Sequence, residues 1–168
     1  VQGYAIAVTG LKGGHSGMDI DKGLGNANKI MNRILYHCSL NHHVRISSID
    51  GGSLRNAIPR ESIATVVVYN NQENDFLKSF KTLADTIKAE LKVAEPELHI
   101  QMEPVKLPKK VMGLGSQEKL LGSLYAAHNG VYAMSASIPD LVETSNNIAR
   151  VVVKDGNIKI SNEAMIIG

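Results

Sequence analysis

Only one cysteine occurs in the 168 residues, so no internal disulfide can staple this chain. That residue, Cys38, falls within a helical pattern, where it reads either as a small apolar packing group or as a reactive thiol. Tryptophan is absent and aromatic residues make up 4% of the chain, which argues against the stacking platforms of an RNA-binding sheet. Charge of neither sign dominates: the formal net charge is +2, and no Lys/Arg cluster marks a nucleic-acid footprint. Apolar runs fall well short of the roughly 20 residues that a membrane helix requires. The start, Val1-Gln2-Gly3-Tyr4, lacks the basic and apolar regions of a secretory signal and reads as the beginning of a piece cut from a longer chain, with a trimmed mature end as the alternative. Together these features fit a cytoplasmic protein that contacts neither nucleic acid nor membrane. What is present is ample for a core: 43% hydrophobic residues in a length that suits one domain.

The periodicities order the elements. Tyr4, Ile6 and Val8 alternate as a strand that runs into a glycine-rich loop. Leu24, Ala27, Ile30, Met31, Ile34, Leu35 and Cys38 recur at helical spacing and predict a helix from Lys22 to Cys38, with Asp19 or Asp21 as its cap. Residues 44–49 and 63–69 read as strands, and the stripe Phe76, Phe80, Leu83, Ala84, Ile87 and Leu91 as a helix that Pro96 ends. Leu98, Ile100 and Met102 alternate as a further strand. The resulting order, βαββαβ, predicts an α+β, ferredoxin-like fold: an antiparallel sheet with two helices on one face, spanning residues 1–103. Pro104 and Pro108 mark a linker over 104–115. The remaining 116–168 predict an extension made of a C-terminal helix (Gln117–His128) and a β-hairpin whose Asp155-Gly156 pair favours a type I′ turn.

Two clusters could carry chemistry. In Gly13-Gly14-His15-Ser16-Gly17, flanking glycines permit a sharp turn and close approach of a ligand, and His15 could donate a hydrogen bond to developing negative charge. The alternative is a glycine-rich turn with a solvated histidine. In Arg55-Asn56-Ala57-Ile58-Pro59-Arg60-Glu61, Asn56 offers a donor and an acceptor for an amide or carboxylate, and Arg55 or Arg60 could pair a carboxylate through two bonds. Here the alternative is a turn fixed by Asn and Pro with its charges in water. The six histidines include no HExxH motif and no CxxC is possible, so no metal ligand is expected on this chain.

Taken in order, residues 10–17, the segment Gly23-Leu24-Gly25-Asn26-Ala27-Asn28, residues 55–61 and Val142-Glu143-Thr144-Ser145-Asn146-Asn147 resemble the lid domain of aminoacylhistidine (Xaa-His) dipeptidases. These form the carnosine-cleaving branch of the co-catalytic zinc peptidase and aminoacylase family. The resemblance implies a two-domain enzyme whose lid is inserted within its metal-binding domain, with the zinc ligands and the glutamate general base outside this chain. It implies that His15 steadies the tetrahedral oxyanion and that Asn56 orients the dipeptide substrate; Arg60, in the same segment, is read from its guanidinium as a further substrate-binding residue. Relatives often carry an Arg on the strand after the Asn motif, where this chain has Tyr69, and residues 162–168 supply no later Arg. The partners implied are the catalytic domain of the same polypeptide and a second copy, since open strand edges and the broad apolar arc of the first helix favour a homodimer. A reading of another class is a free-standing ferredoxin-like ligand-sensing or dimerisation module without catalysis. Such a module would bind a small metabolite in isolation.

Overall fold

The computed structural model describes residues 1–167, so the final residue of the expected extension lies outside the described part. Strand β1 (Gln2–Thr9) buries Tyr4, Ile6 and Val8 as its alternation predicts. After β2 (Gly14–His15) come helix α1 (Ala27–His42), β3 (Arg45–Gly51), β4 (Ala57–Ile58), β5 (Ser62–Val68), helix α2 (Glu73–Glu90) and β6 (His99–Val105). The long strands pair antiparallel in the order β6-β1-β5-β3. Both helices pack on the face that carries Tyr4, Ile6 and Val8, and Phe76, Phe80 and Ile87 of α2 share a core with Met31, Ile34 and Leu35 of α1. This is the ferredoxin-like arrangement that the element order predicts.

Helix α1 begins five residues later than its apolar spacing predicts, and neither Asp19 nor Asp21 caps it. The cap is Asn26, whose Oδ1 accepts the amides of Asn28 (2.9 Å) and Lys29 (3.2 Å). The Ala27 amide, which a longer helix would use internally, donates instead to Pro59 O at 3.1 Å. Gly23 has φ +67°, outside the helical region, so the preceding turn cannot continue the helix backwards. Leu24 therefore belongs to a loop.

Residues beyond β6 continue the sheet. Helix α3 (Leu114–Ala126) starts three residues before the expected Gln117, and a strand, β7 (Gly130–Met134), forms between it and the hairpin. Strand β8 (Val142–Lys154) pairs with β3 through Gly51↔Val151, Asp50↔Val152 and Ile49↔Val153. The hairpin partner β9 (Asn157–Ile166) runs along the other side of β8, and β7 lies beside its first half, giving a seven-stranded sheet. Asp155 (φ +50°) and Gly156 (φ +81°) are both left-handed, as a type I′ turn requires.

Leu120, Leu121 and Leu124 of α3 enter the same core as α1. The fully buried Gln117 fastens that helix: its Oε1 accepts the Ile46 amide, and its Nε2 donates to Val44 O and Ser39 Oγ, each at 2.8 Å. Ile46 lies at a register shift between β3 and β5, so a side chain completes the bonding at that irregular position. The residues between β6 and α3 run past β3, where Met112 N–H donates to Ile46 O at 2.7 Å.

Candidate functional site

The two candidate clusters meet in a separate two-stranded ribbon. Strand β2 pairs with β4 in the register Gly14↔Ile58 and His15↔Ala57, and the Ser16 amide donates to Asn56 O at 3.1 Å. His15 and Asn56, 41 positions apart in sequence, thus occupy adjoining positions on one ribbon, and both side chains are exposed. No protein group among the described residues bonds the Asn56 side chain. Arg60 is exposed and crosses Gly13 (φ +64°), where an added Cβ would lie 2.4 Å from its Nε. The glycine at 13 is needed both for the backbone angle and for that approach.

The His15 ring is oriented by its own turn. Nδ1 accepts the amides of Gly17 (3.0 Å) and Met18 (3.3 Å). Those contacts require a lone pair on Nδ1, so the neutral ring carries its proton on Nε2. The donor that remains, Nε2–H, is available to a ligand. The backbone N–H of His15 donates to Asp19 Oδ2 at 2.7 Å, which closes the loop. Hydrogen bonding from Lys22, and then from the His15 amide, holds the Asp19 carboxyl below the usual carboxylate range. Asp19, expected as a helix cap, is instead a latch on the histidine loop.

Three further groups fix the ribbon to the fold. Glu95, 2% exposed, accepts the amides of Lys12 and Gly25, each at 2.8 Å, and so ties together the loops on either side of the histidine segment. Asn26 Nδ2 lies within 2.9 Å of Asn129 Oδ1 and 3.2 Å of both Asn147 Oδ1 and Ile148 O. Asn147 in turn donates to Ala57 O at 2.9 Å. The segments at 10–17, 23–28, 55–61 and 142–147 therefore converge on one region. Glu95 and Asn129 were not legible as part of it: a carboxylate before Pro96 and an Asn before Gly130 look like solvated turn residues.

Other residues lie apart. Tyr69 follows β5 and is half exposed. Cys38 is buried in the core, and burial pushes its thiol up to about 12, so packing rather than reactivity is its role. Among the described residues no three His, Cys, Asp or Glu side chains come together as a metal-holding group. No helix among the described residues is long and apolar enough to cross a membrane.

Residues 6–95, the βαββα part of the core with its ribbon, match the family described as peptidase dimerisation domain. The chain belongs to that family. This peptidase dimerisation domain is similar over 158 residues to the cytosol non-specific dipeptidase of Escherichia coli (strain K12), at 38% identity, covering 94% of this chain and 32% of the relative. Its fold superposes on the crystal structure of the aminoacylhistidine dipeptidase from Vibrio alginolyticus with a TM-score of 0.93 at 32% identity, covering 97% of this chain and 33% of that one. The domain thus spans about a third of the length of either relative.

Proposed function

We propose that this domain is the lid of a two-domain dipeptidase, with Xaa-His dipeptides as substrates, and that His15 donates a hydrogen bond to the oxyanion of the tetrahedral intermediate. The observation that carries the reading is the occupied Nδ1 of His15: two backbone amides fill it, so the exposed side of the ring offers a donor and no acceptor. A donor held by backbone geometry needs no reorganisation when negative charge develops on the reacting carbonyl oxygen. Asn56, at the adjoining position of the ribbon, has its side-chain oxygen and NH2 both available to hold the substrate's peptide unit or carboxylate. Arg60 beside Gly13 supplies a guanidinium for the carboxylate end.

Both relatives support dipeptides as the substrate, and the one named an aminoacylhistidine dipeptidase supports the Xaa-His class. The relatives' extra length supports a partner domain of the same polypeptide, where zinc would be held. The family description supports self-association, for which the outer edges of β6 and β9 each leave one ladder unpaired. A cytoplasmic setting is supported by the name of the E. coli relative and by the lone buried thiol.

The test is steady-state kinetics of the complete enzyme on Xaa-His dipeptides. His15→Ala should lower kcat by about 10²–10³, roughly 2.7–4 kcal/mol, and change KM far less. Asn56→Ala should raise KM instead, because an orienting contact already exists in the ground state. Near-normal turnover of His15→Ala would return that histidine to a solvated turn residue, and loss of metal from it would make His15 a ligand and end the lid reading.

A further inference from the structure

The histidine loop is held from a place that lies outside the family match. Ser16, 2% exposed, directs its hydroxyl to the carboxylate of Glu163 on β9. The next residue, Gly17, lies under Met165 of the same strand, so that an added Cβ would be 2.5 Å from its Sδ. Across the β8–β9 ladder, Glu163 is the register partner of Asn147, which grips Ala57 O. Ala57 is itself the partner of His15. A single rung of the sheet extension therefore holds both strands of the ribbon, Glu163 on the histidine side and Asn147 on the other.

We propose that Glu163 is a positioning residue for His15. The carboxylate fixes Ser16, and Ser16 begins the turn whose next two amides, of Gly17 and Met18, point at His15 Nδ1. When the hydroxyl loses its acceptor, the buried Ser16 is left unsatisfied and the turn relaxes. The amide pair then no longer selects the ring orientation. This inference rests on the reading of His15 as a donor, but its structural half can be measured without any catalysis.

The experiment has two arms. In this chain, amide hydrogen exchange is followed residue by residue for wild type, Glu163→Ala, Glu163→Gln and Ser16→Ala. Glu163→Ala and Ser16→Ala should speed exchange at Gly17 and Met18 by about tenfold, the scale of one lost charge-assisted bond. Glu163→Gln, which keeps an acceptor oxygen, should restore most of that protection. In the complete enzyme, Glu163→Ala should lower kcat by a similar factor with KM little changed, and Glu163→Gln should recover it. Exchange at Gly17 and Met18 that stays within about twofold of wild type in both alanine variants would overturn the proposal. If Glu163→Ala loosens β8 and β9 as a whole, Ser16→Ala decides: faster exchange confined to 17 and 18 supports the proposal, and its absence overturns it. A changed exchange pattern with unchanged kcat would support the positioning role and refute the donor role of His15.

Discussion

Removing the Glu95 carboxylate tests how the site is fastened to the fold. The group is 2% exposed and accepts two backbone amides at 2.8 Å, one of them from the buried Gly25. A hydrogen bond to a charged acceptor contributes about 1.5–3 kcal/mol, and a buried amide left without a partner costs its full desolvation. Gly25 is buried among close apolar neighbours, where an added Cβ would meet Leu11 Cδ2 at 2.8 Å, so its amide has no protein acceptor to replace the carboxylate. Lys12 is exposed, so its amide regains water on loss of the carboxylate and contributes about 1 kcal/mol. Glu95→Ala should therefore cost about 3 kcal/mol. Glu95→Gln should cost about half of that, since its one carbonyl oxygen can accept only part of what two carboxylate oxygens accept. With a urea slope of about 2 kcal/mol/M, the midpoint of Glu95→Ala should fall by roughly 1.5 M. A loss below about 0.5 kcal/mol would refute the reasoning, because it would mean that water reaches the Gly25 amide.

Three shorter predictions concern the core. Burial, and then the neighbouring His37, lowers the His42 pKa, with Asp75 opposing and His43 adding to the shift, and both ring nitrogens are buried without a partner among the described residues. Because the folded protein resists protonation there, stability should be fully present above pH 6.5 and decline as pH falls from 6.5 through the lower folded value; His42→Leu should flatten that decline in thermal melts at several pH values. Gly51→Ala should destabilise by about 1–3 kcal/mol in the same melts, since the added methyl would lie 1.9 Å from Asn28 Oδ1 and 2.6 Å from Ser62 Oγ. Cys38, with its thiol raised to about 12, should resist iodoacetamide at pH 8 in the folded chain and react on unfolding, as mass spectrometry would show.

The ferredoxin-like core was legible because its elements announce themselves locally. Tyr4-Ile6-Val8 alternates and Phe76-Phe80-Ala84-Ile87 repeats at one helical face; in the extension, Asp155-Gly156 likewise permits one tight hairpin. The helix start was misread because Leu24 fits the apolar spacing, while what ends the helix, the bond from Ala27 N–H to Pro59 O, comes from a residue 32 positions away. Strand β7 escaped notice because Gly130–Met134 leaves alternate residues exposed and is shaped by pairing with β8 rather than by its own pattern. His15 and Asn56 could be singled out by residue type and by resemblance. Their adjacency could not, since no periodicity within either segment encodes the ribbon that joins them.

The polar groups around that ribbon make the register of the extension matter to the site. Strand β8 alternates faces, so Asn147 and Ile148 cannot exchange roles. In the observed register Asn147 reaches Asn26 and Ala57, while the Ile148 backbone accepts from Asn26 and Asn28 and donates to Asn129 Oδ1 at 2.9 Å. A slip of one residue would turn Asn147 to the opposite face and leave several buried amides unpaired at once. An apolar contact at this position would tolerate small shifts, because dispersion has no direction. Hydrogen bonds of fixed direction do not tolerate them. The apolar residues Ile148, Val151 and Val153 thus attach the extension to the core, and the asparagines and Glu163 determine where along it the histidine loop is held.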